Sequence, residues 1–323
     1  MSVTSLPASS ASSAHAGGTH ALRGIGFKVA SVCIFVIMAT CLKAAQGIPA
    51  GQLVFFRSLF AIIPVIGWLL WKRQLVSGLK TANPLGHVLR GLIGVASMGL
   101  GFFGLTKLPL PESTAIGYAS PLLLVILGAL LLKERVFIYR WTAVIVGLAG
   151  VGIMLWPRLT LLTNPEGLGA EETLGVIAAL GAAFLSAFAM LQVRRLVQTE
   201  RTEAIVLYFF VTASLLSLLT APFGWVWPNP QQAALLVTAG IAGGIAQILL
   251  TACYRYADLS VIAPFEYTSL LLSLVVGYFI FGDMPTLMMI IGASIVVCSG
   301  IFVVLREHYL GLDRIRSREA NTP

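Results

Sequence analysis

"AIGYASPLLLVILGALLLKE" (residues 115–134) and "PFEYTSLLLSLVVGYFIFGD" (264–283) lie 149 residues apart, and the second reads as a copy of the first. In that register Tyr118 meets Tyr267, Ser120 meets Ser269, Leu122 and Leu123 meet Leu271 and Leu272, and Gly128 meets Gly277. An acid closes each segment, Glu134 in one and Asp283 in the other, and Gly26 and Gly175 fall in the same register at the starts of two further apolar segments. Apolar residues match by chance. A Tyr-x-Ser-x-Leu-Leu pattern ended by an acid is more specific, so the chain carries an internal repeat.

The composition says what is repeated. Hydrophobic residues make up 58% of the 323 and charged residues 11%, against about 25% charged in a soluble domain. The mean hydropathy is +0.91. This chain has too little polar material to coat a water-facing surface, and it reads as a polytopic membrane protein. Ten segments are long and apolar enough to span: about 24–45, 50–71, 86–106, 111–132, 137–156, 173–193, 203–222, 233–254, 260–281 and 285–305. Five segments per repeat is an odd number, so the two copies enter the bilayer from opposite faces. The expected fold is an all-α membrane protein with ten transmembrane helices in two inverted five-helix repeats. The repeats cover 24–156 and 173–305 and are joined by an external loop, 157–172. A disordered tail (1–23) precedes them and a solvated basic tail (306–323) follows.

The net charge of +8 does not point to nucleic acid. With the N-terminus placed in the cytoplasm, nearly all Lys and Arg fall on the inner side, from Arg23 and Lys28 to Arg318, while Lys43, Lys107 and Arg158 fall outside. That asymmetry places both termini inside. The four cysteines, Cys33, Cys41, Cys253 and Cys298, all sit in apolar segments without Cys-x-x-Cys spacing and read as reduced packing residues. Small-xxx-small pairs such as Ser97/Gly101, Ala143/Gly147, Ala178/Ala182 and Gly240/Gly244 let helix backbones approach closely. Pro64 and Pro121 are expected to kink their helices.

"VFFRSLFA", "HVLRGLIG", "GLTKLPLPESTAIGYASPLLLVILGALLLKERVFIYRWTAVIVGLAGVGIML" and "VIAPFEYTSLLLSLVVGYFIFGD" resemble the EamA-type members of the drug/metabolite transporter superfamily. The resemblance covers about residues 24–305 and is nearest to the bacterial branch that holds S-adenosylmethionine and riboflavin uptake carriers. It implies a central cavity, alternating access, and a small organic metabolite as substrate. It implies neither one particular substrate nor one direction.

Several polar residues stand where such a cavity is expected. Arg57 lies six residues inside the second segment, about 9 Å deep at the helical rise. It suits an anionic substrate group or an outer gate; snorkelling to the interface is the alternative. Glu266 lies at a similar depth from the opposite face, so the two are about 12 Å apart along the normal and a direct ion pair between them is not expected. Burial disfavours a carboxylate, which makes Glu266 a candidate to take up a proton during the cycle. Tyr118 and Tyr267 occupy equivalent places and offer rings to a planar substrate, with Ser120 and Ser269 two residues on and Gln247 in the middle of the eighth segment. His87 and Arg90 open the third segment and read as solvated or headgroup contacts; Glu112 complements a helix N-terminus.

The expected activity is secondary transport across the inner membrane of a bacterium, with a small molecule and membrane lipid as the partners and proton coupling through Glu266 as one drive. A metabolite or drug exporter of the same fold is the alternative, and a non-transporting receptor a more remote one. An enzyme is not expected. His15, His20, His87 and His308 are all terminal or interfacial, and no His-Glu-x-x-His or Walker A pattern is present, so no metal, cofactor or nucleotide hydrolysis is expected.

Overall fold

In hydrocarbon every backbone N–H and C=O must be satisfied within the protein, so long apolar runs without interior breakers become helices. The computed structural model describes residues 10–73, 80–131, 138–160, 170–196, 199–256, 265, 266 and 268–320. Its helices are α1 (Ser10–Ala44), α2 (Ala50–Trp71), α3 (Pro84–Lys107), α4 (Leu110–Gly117), α5 (Ala119–Leu131), α6 (Ile138–Thr160), α7 (Ala170–Leu196), α8 (Thr202–Leu218), α9 (Pro230–Tyr256), α10 (Thr268–Val276) and α11 (Leu287–Ala320). A π-helical turn, Gly277–Phe281, continues α10. There is no strand among the described residues.

Among the described residues, six stretches are long and apolar enough to cross a membrane: Leu22–Ala44, Ala50–Trp71, Pro84–Lys107, Leu110–Gly128, Glu171–Val193 and Pro230–Leu250. Four shorter apolar helices accompany them, Trp141–Met154, Glu203–Leu218, Thr268–Phe281 and Leu287–Phe302. Apolar side chains such as Ile63, Ile145, Ile177, Leu215 and Leu271 are exposed on the outside of the bundle. That surface suits lipid and not water.

The helices pair in a regular way. α1 runs along α9, α3 along α7, and α6 along α11; α2 lies against both α9 and α8, and α3 also meets α8. Lipid tails are as apolar as leucine, so burial alone does not drive this packing; close backbone approach does. A methyl group at Gly240 would collide with Phe60, and one at Gly244 with Pro64 and the Ala61 backbone, so α9 fits α2 because both positions are glycine. Gly150 and Gly292 play the same part between α6 and α11, where a methyl group on either would strike the carbonyl of the other.

Three local features differ from the sequence reading. α1 begins at Ser10, inside the stretch expected to be a disordered tail; that Ala/Ser-rich stretch has no proline beyond residue 7 and extends a helix already nucleated by the apolar run. The 111–132 segment is two helices and not one, divided at Tyr118. Pro121 has no N–H for the Gly117 carbonyl, and the Tyr118 N–H bonds instead to Ala115 O at 3.2 Å, a tightened turn. The third feature is a correction. His87 is buried, its ring 4.7 Å from that of Tyr208, and two Arg90 nitrogens are buried over Phe209. Neither residue is the solvated interfacial group expected, because α3 begins at Pro84 and turns this face toward α8.

Candidate substrate-binding site

α1 carries a lysine into the bundle. Lys28 Nζ lies 3.5 Å from Glu266 Oε2; the lysine side chain is 3% exposed and the glutamate 51%. Glu266 sits in a short 3₁₀ turn ahead of α10. Its backbone carbonyl accepts from the Tyr118 hydroxyl at 2.9 Å and from Ser269 Oγ at 2.9 Å, and the two hydroxyls also touch each other. The division of α4 from α5 is what brings Tyr118 here, at the end of α4. One turn along α1, Ser31 Oγ donates to Ala246 O at 2.8 Å, beside half-buried Gln247 in α9.

Tyr118, Glu266 and Ser269 are thus brought together, and Lys28 joins them. The burial from which a proton-carrying Glu266 was argued falls on the lysine: the carboxylate is half exposed and faces a cation. Lys28 was missed as a site residue because a lysine near the start of a span reads as an orientation signal. Tyr267 lies outside the described residues. Ser120 stands apart from this cluster, lining a recess of about 200 Å³ with Ser97, Ser113 and Ser186.

Arg57 is in a second place, about two turns into α2 and 5% exposed. Its Nε lies 3.5 Å from Met38 Sδ and its guanidinium carbon 4.9 Å from the Phe210 ring centroid. Arg90 reaches from α3 to lie 4.3 Å from the Phe209 centroid. The two rings are neighbours on α8, 5.4 Å apart.

Further polar ties close the ends of the bundle. Lys43 Nζ lies 3.7 Å from Asp283 Oδ2, donates to Leu108 O at 2.5 Å and sits 5.3 Å from the Phe281 centroid. The same carboxylate accepts from Leu110 N at 3.3 Å. Lys107 and Glu171 pair at 2.6 Å. At the other end of α3, Glu200 Oε1 accepts from Thr81 Oγ1 and from the backbone N–H groups of Ala82 and Asn83 at 2.8–2.9 Å, while Oε2 is 3.6 Å from His87 Nε2. Burial pushes the Glu200 carboxyl up, but these hydrogen bonds and the His87 contact outweigh it and hold it below the ordinary value. Among the described residues, no three His, Cys, Asp or Glu side chains are grouped as metal ligands.

An apolar exterior around buried cations and hydroxyls defines a polytopic membrane protein with a polar interior, the build of a solute carrier. The model of the EamA-like transporter family matches residues 22–156 and again 173–306, and the chain belongs to that family. The S-adenosylmethionine uptake transporter of Rickettsia prowazekii is 30% identical over 79% of this chain and 83% of its own. The riboflavin transporter of Vibrio cholerae is 28% identical over 89% and 95%. The pseudopaline exporter of Pseudomonas aeruginosa is 24% identical over 84% and 92%. A crystal structure matches 89% of this chain and 98% of its own with a TM-score of 0.64 at 22% identity, a likeness of fold alone. The protein is a small-metabolite transporter and not an enzyme.

Proposed function

We propose that the chain is a secondary carrier of ten spans in two inverted five-helix repeats, working by alternating access in the inner membrane of a bacterium. The helix pairing supports the inverted repeat. The first helix of one half lies on the third of the other in both senses, α1 on α9 and α7 on α3. Second pairs with second, α2 with α8, and fifth with fifth, α6 with α11. The six long and four shorter apolar helices fall on the ten expected segments. The distribution of Lys and Arg supports cytoplasmic termini.

The observation that carries the reading is the Lys28–Glu266–Tyr118–Ser269 cluster, where α1, the α4/α5 break and α10 meet. A buried cation, a half-exposed acid and two hydroxyls at the junction of two halves form a contact that can part and re-form. The relatives' names support a vitamin or an adenosyl compound as substrate, and they include uptake carriers as well as an exporter, so they do not choose a direction. Transport runs on the solute gradient, with coupling to protons as the alternative drive.

Purified protein in proteoliposomes tests this. S-adenosylmethionine or riboflavin should exchange across the membrane without ATP, and a pH step separates solute-driven exchange from proton coupling. An absolute need for ATP, or no movement of any adenosyl, flavin or amino-acid solute, would overturn the reading. In intact cells, a cysteine at Ser77 should react only with reagents that reach the cytoplasm and one at Thr163 with impermeant reagents outside; the reverse pattern inverts the orientation.

A further inference from the structure

Arg57 and Arg90 together present an unusual electrostatic situation. A guanidinium does not lose its proton in a protein. The Nη1 of Arg57 and the Nε and Nη1 of Arg90 are inaccessible to solvent and have no hydrogen-bond partner. Lys28–Glu266, Lys43–Asp283, His87–Glu200 and Lys107–Glu171 are paired, and none of these pairs includes either arginine. Each cation lies over a phenylalanine ring. Stacking on a ring recovers only part of the hydration that a buried guanidinium gives up.

The two side chains also converge. Arg57 comes from near the start of α2 and Arg90 from near the start of α3, yet they rest on consecutive residues of α8. The space that receives them is kept by glycine. A methyl group at Gly94 would collide with Arg90 and sit 2.7 Å from Phe209, and one at Gly243 would stand 3.1 Å from Arg57 Nε. Three donor nitrogens with no acceptor, on two permanent cations in one part of the interior, lack one thing: an acceptor that carries negative charge.

We infer that Arg57 and Arg90 form an oxyanion subsite that binds a carboxylate or phosphate group of the transported solute between α2, α3 and α8. This rests on the carrier reading and narrows it: the substrate is anionic at one end. The repeat does not duplicate the site, since the register puts Val206 and Ala239 at the two equivalent positions. An oxyanion therefore binds in one half only and gives the solute one orientation in the cavity. Arg57 Nε is already engaged with Met38, so Arg57 offers a terminal nitrogen, while Arg90 offers Nε and a terminal nitrogen.

The test uses full-length protein and solutes paired to differ by one oxyanion: S-adenosylmethionine and its decarboxylated form, riboflavin 5′-phosphate and riboflavin, and glutamate and glutamine. Thermal stabilisation in detergent is titrated for each. The member of at least one pair that carries the additional oxyanion should act at a concentration at least about tenfold lower than its partner. Which pair responds tells carboxylate from phosphate. Arg57→Gln and Arg90→Gln should each remove that preference without lowering the unliganded Tm, because each deletes an uncompensated charge. Arg57→Lys, which keeps the charge, should retain part of the preference and serves if a neutral variant does not fold. Equal responses within every pair, or a preference that survives both neutral variants, overturns the subsite. If proteoliposomes move none of these solutes while the preference and its loss stand, the carrier reading falls and the subsite remains. If they move a solute with no such preference, the subsite falls and the carrier remains.

Discussion

Lys28 and Lys43 lie fifteen residues apart on α1, and each reaches a carboxylate on the same neighbouring segment, Glu266 before α10 and Asp283 after the π-turn. The two contacts are built differently. At the Lys43 end the ammonium also donates to Leu108 O and lies over Phe281, and the acid also accepts from Leu110 N. Four elements are knotted there. At the Lys28 end the lysine is buried and has one ionic partner among the described residues, whose carboxylate is half exposed. The Lys43 end of this pair of helices is therefore the more heavily tied, and the Lys28 end the more lightly tied. Both contacts join residues in the same order along their helices, so α1 and the 265–283 segment run in the same direction.

The largest effects come from breaking the pairs and then removing the orphaned partner. Asp283→Ala strands Lys43 and the Leu110 N–H and should cost about 3 kcal/mol, read as a fall in Tm in detergent. Adding Lys43→Met should recover only part of it, because Leu110 N and Leu108 O remain without their partners. Glu266→Gln strands Lys28 and should cost roughly 2–3 kcal/mol; adding Lys28→Met should recover nearly all of it. Full recovery at both ends, or at neither, would remove the distinction between a knot and a simple pair.

Transport sharpens the same contrast. If the Lys28 end parts in each cycle, Glu266→Gln should slow exchange about tenfold and change its pH dependence, an effect of about 1.4 kcal/mol. Lys107→Gln, at a tie outside both clusters, should leave the rate within about twofold, in line with the small worth of exposed pairs. An unchanged rate and pH profile in Glu266→Gln would mean that the contact is static and that the moving part lies elsewhere.

These contacts also show where sequence reading stops. The apolar segments, the 149-residue repeat and the oddness of Arg57 were legible, because depth along a helix follows from counting residues. Azimuth does not. Lys28 and Arg90 sit near inner segment ends, where the positive-inside rule accounts for a charge fully, Lys43 sits near an outer end, where interfacial solvation does, and nothing in sequence says that each turns inward. Their partners are distant along the chain: Glu266 is 238 residues from Lys28 and Asp283 is 240 from Lys43. The pairing of Tyr118 with Ser269 was foreshadowed differently, since the repeat set each beside an equivalent residue without saying that Tyr118 of one copy meets Ser269 of the other. The split at Tyr118 was half legible. Pro121 announced a disturbance, but a kink and a break differ only in what the freed carbonyls find.

The smallest expected loss of stability concerns Glu200, a third tie, which lies in the connection between α7 and α8 and not within a span. Its carboxylate gathers the Thr81 hydroxyl and the N–H groups of Ala82 and Asn83 at the start of α3. The folded state holds this carboxyl below its ordinary pKa, so the unfolded chain binds the proton more readily. The stabilisation is then fully present above the ordinary value and is lost as the pH falls through the lower, folded one. Glu200→Gln keeps one acceptor and loses the charge, and should cost about 1–2 kcal/mol at pH 7. The Tm difference between wild type and variant should hold steady from pH 7 to about 5 and close in the acid range below the ordinary carboxylate value. Because this tie stands outside the α1 pair, the loss should add to that of Glu266→Gln, within about 0.5 kcal/mol. A difference that is the same at every pH would show that Glu200 acts through packing and not through its charge, and a strong departure from additivity would couple the start of α3 to the Lys28 contact.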